Sequence, residues 1–447
     1  MTWQEVAFQA GLRNETEACL PDGDFKLNFS PAEEEGPDGP TMVCPIDYCL
    51  STLNQQSACG PSGFSNFLYK KLRVEDVKPF VEYIAGNVDV NFDIDFNEHV
   101  RIAVISGRGI GLDKGGGILR PIVIGECLRR LAGRCIITVI RRSGIGDELG
   151  KRLQFGADVK SGADFALHLP RASLEALAST NPEKFARLFP GGKVQYNDGF
   201  ACVSLDAANC FCSFYVDVVL ESICRRCPQL VGFFSTCYHP NAPAKVVLDD
   251  GSFVNATSLA QGCPISSVCC ACVILDILED VRNDFATNRM PGWTLESAYL
   301  DDVVGVMPTQ LVPFFLGSVR EHGKARGLSF DNVSKNLVYV PQQFLPAEAS
   351  EAAAQLETLW NWQDSQQYNV HILDDESVGA VSRGAKRLQR EHLLDNSSIV
   401  VSTVGFEKIM GVPFRLVEPE SDAAAHARSV TWLQAHVRAR AQDTFHD

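Results

Sequence analysis

No apolar stretch in this chain approaches the ~18 residues that a membrane span requires. The longest, Val268 to Leu275, ends at Asp276 and reads as a buried helix. A basic leader is lacking too: residues 1–39 set nine acidic side chains against Arg13 and Lys26, which matches neither a secretory signal nor a transit peptide. Nor is there an excess of positive charge. The 447 residues hold 40 Lys and Arg against 55 Asp and Glu, a net charge of -15, and this excludes coating of nucleic acid by bulk charge. No Gly-x-Ser-x-Gly element occurs, and none of the nine histidines lies in a general-base motif, so hydrolase readings find no support.

Hydrophobic residues at 45% and charged ones at 21% describe a folded globular chain and exclude wholesale disorder, collagen and coiled coil. At roughly 150 residues per domain, the length allows two or three domains or one large multi-lobed enzyme. The 16 cysteines read as reduced thiols, because there is no leader and because Cys202, Cys269, Cys270 and Cys272 interrupt runs of Val, Ala and Leu. The cell interior is the expected compartment, with nucleus and cytoplasm left open. The acidity is concentrated at the two ends, with -7 over residues 1–39 and -6 over 341–447, leaving -2 between them. Residues 101–152 carry a local +7 that could hold phosphates or form a solvated helix face.

The Pro- and Gly-rich stretch Phe29 to Met42 reads as a linker. After it come helical spacing over Phe64 to Ala85 and strands at Val100 to Ser106 and Ile118 to Ile124 around a glycine-rich loop, Gly107 to Gly117. A basic helix starts at Glu126. A short strand ends at Asp206, and Phe211, Phe214, Tyr215, Val218 and Val219 follow at helical spacing. Asp250-Gly251 signals a hairpin between Lys245–Leu248 and Phe253–Ala256, and Ile265 to Val281 reads as a long apolar helix.

Two β-rich runs, Leu295–Leu300 and Val303–Met307, flank Asp301-Asp302. A helix, Phe314 to Arg326, is stopped by Gly327, and Ser329 to Val340 returns as strand. Helices are expected at Ala347–Trp362 and Ala423–Arg440, with a hairpin over Gly405–Phe414. The element order suggests helices packed on one antiparallel sheet, an α+β fold.

Adjacent carboxylates at a turn are costly unless a cation neutralises them, and hard oxygen donors suit Mg²⁺. An Asp-Asp pair at a turn is also commonly just solvated. If the strand ending at Asp206 lies beside the hairpin, however, Asp206, Asp301 and Asp302 converge. Three acids at one point fit two ions ~3.5–4 Å apart, the arrangement for in-line nucleotidyl transfer.

The order of the motifs resembles the reverse-transcriptase core of non-LTR (LINE-like) retrotransposons, from about Gly60 to Pro413. The elements are SACGPSGF (Ser57–Phe64), LRPIVIG (Leu119–Gly125) followed by Leu128, Arg129 and Arg130, QFG (Gln154–Gly156), LDAANCF (Leu205–Phe211), AQGCP (Ala260–Pro264), YLDD (Tyr299–Asp302), GLSFDNVSK (Gly327–Lys335) and IMGVP (Ile409–Pro413). The resemblance implies an α+β right-hand polymerase with an acidic extension and linker (1–39), fingers (40–199), a palm (200–345) and a palm-to-thumb connection (346–447) whose thumb is short or missing.

It further implies an RNA-directed DNA polymerase that adds dNTPs to a DNA primer on an RNA template, with two Mg²⁺ ions or Mn²⁺ in their place. Asp206, Asp301 and Asp302 would be the metal ligands. Lys335 would approach the leaving pyrophosphate, and Lys114 and Arg120 would grip the triphosphate. Phe211 would lie under the sugar and exclude a ribose 2′-hydroxyl, while Gln261 and Gly262 would line the nucleotide and template side. Cys263 departs from the family, which commonly has an acidic residue there, and the following helix (SSVCCACVIL) lacks the usual aromatics.

No endonuclease-like, zinc-knuckle or RNase H-like region accompanies these motifs. Two alternatives stand beside this reading: a catalytically idle retrotransposon-derived fragment that binds RNA or protein, and an RNA-dependent RNA polymerase, which Phe211 disfavours. Cys224, Cys227, Cys237 and His239 resemble a zinc set poorly, since the second pair is spaced by one residue. Gly144 to Arg152 fails as a P-loop, because Arg152 stands where Ser or Thr is needed.

Overall fold

The computed structural model describes residues 26–36, 39–87, 101–113, 119–178, 199–238, 244–256, 258–288, 295–331, 335–361, 368–373, 378–395, 397–403, 406–409 and 412–414. In chain order the first strands are β1 (Ala32–Gly36), β2 (Gly39–Val43), β3 (Gly107–Asp113), β4 (Leu119–Gly125), β5 (Phe200–Asp206), β6 (Lys245–Val247) and β7 (Phe253–Asn255). The rest are β8 (Leu295–Tyr299), β9 (Asp302–Pro308), β10 (Leu337–Tyr339), β11 (Asn369–Leu373), β12 (Ser398–Ser402), β13 (Phe406–Ile409) and β14 (Val412–Phe414). The chain is mixed α+β and divides into two compact units. The first comprises residues 1–145 and 209–273, the second 146–208 and 274–447.

In the first unit, helices Pro45–Ser51 and Val74–Ile84 pack on helix Cys127–Arg142, burying Ile46, Val77, Val81, Leu131 and Ile136. A four-stranded sheet runs β4-β3-β6-β7. The hairpin at Asp250-Gly251 forms as its sequence signals, with Gly251 at φ +81°. It joins this small sheet through β3, so a single sheet for the whole chain is not what forms.

Three further expectations are corrected in this unit. The stretch 101–105 is helical, and the strand begins at Gly107, inside the segment expected to be a loop. Its glycines serve close strand packing. A Cβ on Gly107 would lie 2.4 Å from the Val123 side chain, and one on Gly109 2.8 Å from that of Val246. Residues 32–43 form the antiparallel β1–β2 hairpin, which Arg142 ties down through Glu34 (2.6 Å), where a linker was expected; residues 1–25 lie outside the described residues.

The helix expected after Asp206 is interrupted. Helices Cys210–Ser213 and Val216–Arg226 are separated by extended Phe214 and Tyr215. Ser258 Oγ lies within hydrogen-bond distance of the Phe211 and Phe214 carbonyls, which the break leaves without helical partners.

The second unit is built on a six-stranded sheet in the order β11-β12-β10-β5-β9-β8. Its β8, β9, β5 and β10 pair antiparallel, while β10, β12 and β11 are parallel. On one face Val304 and Val306 join Leu169, Leu174, Phe200 and Cys202 in a common core. On the other, Gly305 leaves room for Phe315, whose ring a Cβ would meet at 2.8 Å. Helix Val312–Ala325 ends at Gly327 as expected: with φ +85°, the Gly327 and Leu328 N–H groups bond back to Lys324 and Gly323.

Strand after that helix is confined to β10, so the expected run from Ser329 is too long. Strands β11 and β12 were not anticipated. The β13–β14 hairpin forms within Gly405–Phe414 as read. Trp362 and Ala423–Arg440 lie outside the described residues. Among the described residues no helix is long and apolar enough to cross a membrane.

Candidate functional site

The carboxylates lie at one end of the second unit's sheet. Along β5 and β9 the antiparallel register sets Asp206 opposite Asp302. Directly paired residues share a sheet face, with Cβ atoms about 4.5–5.5 Å apart. Leu300 and Asp301 close the β8–β9 hairpin, whose last pair is Tyr299 with Asp302. Leu300 takes φ +53°. Two-residue hairpin turns need positive φ, but a bulky side chain makes it expensive, so something must hold Leu300 there.

Gln154 holds it. This fully buried side chain accepts the Leu300 N–H on Oε1 (3.0 Å) and donates from Nε2 to the Leu300 carbonyl (3.2 Å). The same Oε1 accepts the Gly156 N–H at 3.0 Å. Backbone bonds from Phe155 N to the Ala298 carbonyl and from Ala298 N to the Leu153 carbonyl fasten the segment to β8. Gly156 is pressed against the turn, where a Cβ would lie 2.1 Å from the Leu300 nitrogen. The QFG stretch is thus the mould of the turn that carries Asp301. Sequence alone located this stretch but gave it no role.

Lys335 Nζ makes an ion pair with Asp206 Oδ2. The Asp206 side chain is 13% exposed, so the ammonium answers a largely buried charge. Asn336 accepts the Asp206 N–H on Oδ1 (3.3 Å) and donates from Nδ2 to the Phe330 carbonyl. The structure therefore brings Asp206, Asp302 and Lys335 together and places Asp301 on the adjoining turn. The donor set is all hard oxygen, which suits Mg²⁺ or Mn²⁺. Among the described residues, however, no three His, Cys, Asp or Glu side chains are gathered as a metal cage.

Arg120, Phe211, Gln261 and Gly262 belong to the first unit. The Gln261 carbonyl accepts the N–H of Val123 (2.9 Å), so the QG loop lies along β4, the strand that bears exposed Arg120. Gly262 sits at φ +121°, with Val123 O 2.6 Å from where a Cβ would be. Half-buried Phe211 is linked to the same region through Ser258. Lys114 lies outside the described residues.

Part of the local positive charge of residues 101–152 is used within the fold. Arg101 and Arg129 are buried, and Arg142, Lys151 and Arg152 pair with Glu34, Glu148 and Glu279. The zinc reading gains nothing from the fold: among the described residues Cys224, Cys227 and Cys237 are not gathered as a metal-ligating group, and His239 lies outside the described residues. No protein-family model matches the chain, and no curated protein matches it either.

Proposed function

We propose that the chain is a nucleotidyltransferase of the reverse-transcriptase type, an RNA-directed DNA polymerase with a right-hand fold. The observation that carries this reading is the register of β5 on β9, which sets Asp206 opposite Asp302 beside the turn of Asp301, with Lys335 against Asp206. The second unit's sheet would then be the palm, and the β3–β4 ribbon of the first unit a fingers element.

In this reading Asp206, Asp301 and Asp302 hold two Mg²⁺ ions, whose chemistry when bound is activation of the primer 3′-OH and stabilisation of the leaving oxygen. The chain's own residues supply the rest. Arg120, with Lys114, offers donors to the triphosphate oxygens. By the resemblance, Phe211 would be the residue that excludes a ribose 2′-hydroxyl and so favours dNTPs. Gln261 and Gly262 border the nucleotide and template, and Lys335 carries a proton at Nζ that can answer charge on the departing pyrophosphate.

The test is primer extension by the purified chain on an RNA template with Mg²⁺, offering dNTPs and rNTPs separately, with Asp301→Ala alongside. Extension with dNTPs that is lost in a variant of unchanged thermal midpoint supports the proposal. Extension with rNTPs transfers the chain to the RNA-polymerase class and removes the role of Phe211. A second reading, the idle binding fragment, draws on the acidity of residues 1–39 and 341–447, which does not suit a nucleic-acid polymerase. Calorimetric titration with Mn²⁺ separates the two, because a polymerase site binds the ion and loses it in Asp206→Asn.

A further inference from the structure

Cys210 opens the one-turn helix Cys210–Ser213, and Cys270 lies near the start of helix Ser266–Thr287. Their sulfurs touch at 3.4 Å although the residues stand 60 apart in the chain, and both belong to the first unit. Both are free thiols, 2% and 0% exposed. A disulfide holds its sulfurs at about 2.05 Å, so closing this pair asks for an approach of roughly 1.4 Å.

The element that covers the pair is slight. Helix Cys210–Ser213 has four residues, follows Asn209 in the left-handed region (φ +48°) and gives way to extended Phe214. Asn209 and Cys212, on either side of Cys210, are exposed. A single helical turn fixes several residues for few hydrogen bonds, so it opens at a lower free energy than the core around it. Ser258 ties it down, with Oγ 3.0 Å from the Phe211 carbonyl and 2.7 Å from that of Phe214. On the long helix, burial holds the thiol of Cys269 well above its ordinary value, which keeps that neighbour of Cys270 protonated and slow to compete.

We propose that Cys210 and Cys270 form a reversible disulfide, a redox lock that fastens the turn carrying Phe211 to the long helix. The oxidant is a peroxide. With the turn open, the Cys210 thiolate attacks one peroxide oxygen and becomes a sulfenic acid, releasing the other oxygen as water. When the turn recloses, the Cys270 sulfur attacks the sulfenic sulfur, the S–S bond forms and the hydroxyl leaves as a second water. Two electrons and two protons pass from the thiols to one hydrogen peroxide, and a thiol reductant reverses the bond. The lock requires no polymerase activity and stands whether or not the proposed function does.

The full, reduced chain is treated with hydrogen peroxide near neutral pH, quenched with N-ethylmaleimide in denaturant, and digested. Tandem mass spectrometry then places each disulfide. In the folded chain the Cys210–Cys270 link should be the predominant one and should vanish on addition of dithiothreitol. In a chain first unfolded in urea, the same peroxide should scatter the links over many pairs of the 16 cysteines. Ser258→Ala removes the tie on the turn, so the link should form about fivefold faster in that variant.

A folded chain that keeps both thiols free, or whose links are as scattered as those of the unfolded one, overturns the proposal. So does a predominant link that joins Cys270 to Cys212 or to any cysteine other than Cys210. A link that forms no faster in Ser258→Ala overturns opening of the turn as the route of the oxidant. Because the wild-type link is read without any substitution, a poorly folding variant does not rescue the idea.

Discussion

At the scale of single residues, the site depends on groups that touch no substrate. Removing the Gln154 amide strips the Leu300 and Gly156 N–H groups of their partner inside the protein. Each buried donor left unpaired costs about 1–3 kcal/mol. Gln154→Leu is therefore expected to lower stability by roughly 2–5 kcal/mol in urea denaturation. Gly156→Ala should cost at least as much, since its Cβ meets the Leu300 nitrogen at 2.1 Å. A Gly156→Ala protein with an unchanged midpoint would show that the turn is not pressed against this segment.

The buried thiols give a residue-scale pH dependence. Cys227 and Cys237 are raised by burial from 9.0 to about 12, and near its thiol Cys237 also has the opposing charge of Arg129. A raised folded pKa contributes stability that is complete below the unfolded value and is lost as pH climbs through the folded one. Under reducing conditions, stability should stay level up to about pH 9, then fall by up to about 1.4 kcal/mol per pH unit for each thiol as the unfolded chain ionises first. Stability that rose between pH 9 and 11 would contradict the burial of these thiols.

At the scale of elements, β8 is locked to helix Ser266–Thr287 by Arg282. Its Nε meets Glu296 Oε2 at 3.1 Å, and Nη2 donates to the Glu296 carbonyl at 2.9 Å. Glu296 is 1% exposed and its Oε1 has no partner, so the carboxylate leans on Arg282. Breaking a buried pair from one side typically costs 3–5 kcal/mol, whereas replacing both partners by apolar residues is often close to neutral. Arg282→Ala should lose roughly 3–5 kcal/mol in guanidinium denaturation, and Arg282→Met with Glu296→Leu should recover most of it. A single variant as stable as the double would show that the pair bears no strain.

The same scale explains what the sequence disclosed. The β8–β9 hairpin, the strand ending at Asp206 and the Gly327 helix stop were legible because each is set by neighbours in sequence: an alternating run, a turn residue, a positive-φ glycine. Strands β11 and β12 were not. Their pairing partners lie far along the chain, and Ser398 to Ser402 is buried on both faces, which erases the alternation that marks a strand. Glycines 107 and 109 misled for a related reason, since a residue chosen for close packing looks the same as one chosen for a loop. Of the candidate site, the three acids and Lys335 could be named from motif order, but the Gln154 mould and the Lys335–Asp206 ion pair required the fold.

At the scale of the whole molecule, the chain passes between its two units three times, after Ile145, Ala208 and Val273. Neither unit is therefore a continuous segment, and a cut placed by sequence order alone can break both. A fragment of residues 1–208 lacks β6, β7 and the helices Val216–Arg226 and Val231–Cys237 of the first unit. It also strands β5, whose partners β9 and β10 come later. Residues 1–273 supply every residue of the first unit and leave only 146–208 without a core. The shorter fragment should show no cooperative transition in urea. The longer one should unfold cooperatively with an m-value well below that of the full chain, because m follows the surface exposed on unfolding. A sharp transition in the 1–208 fragment would mean that one unit is complete without its second stretch, and the division into interleaved units would have to be redrawn.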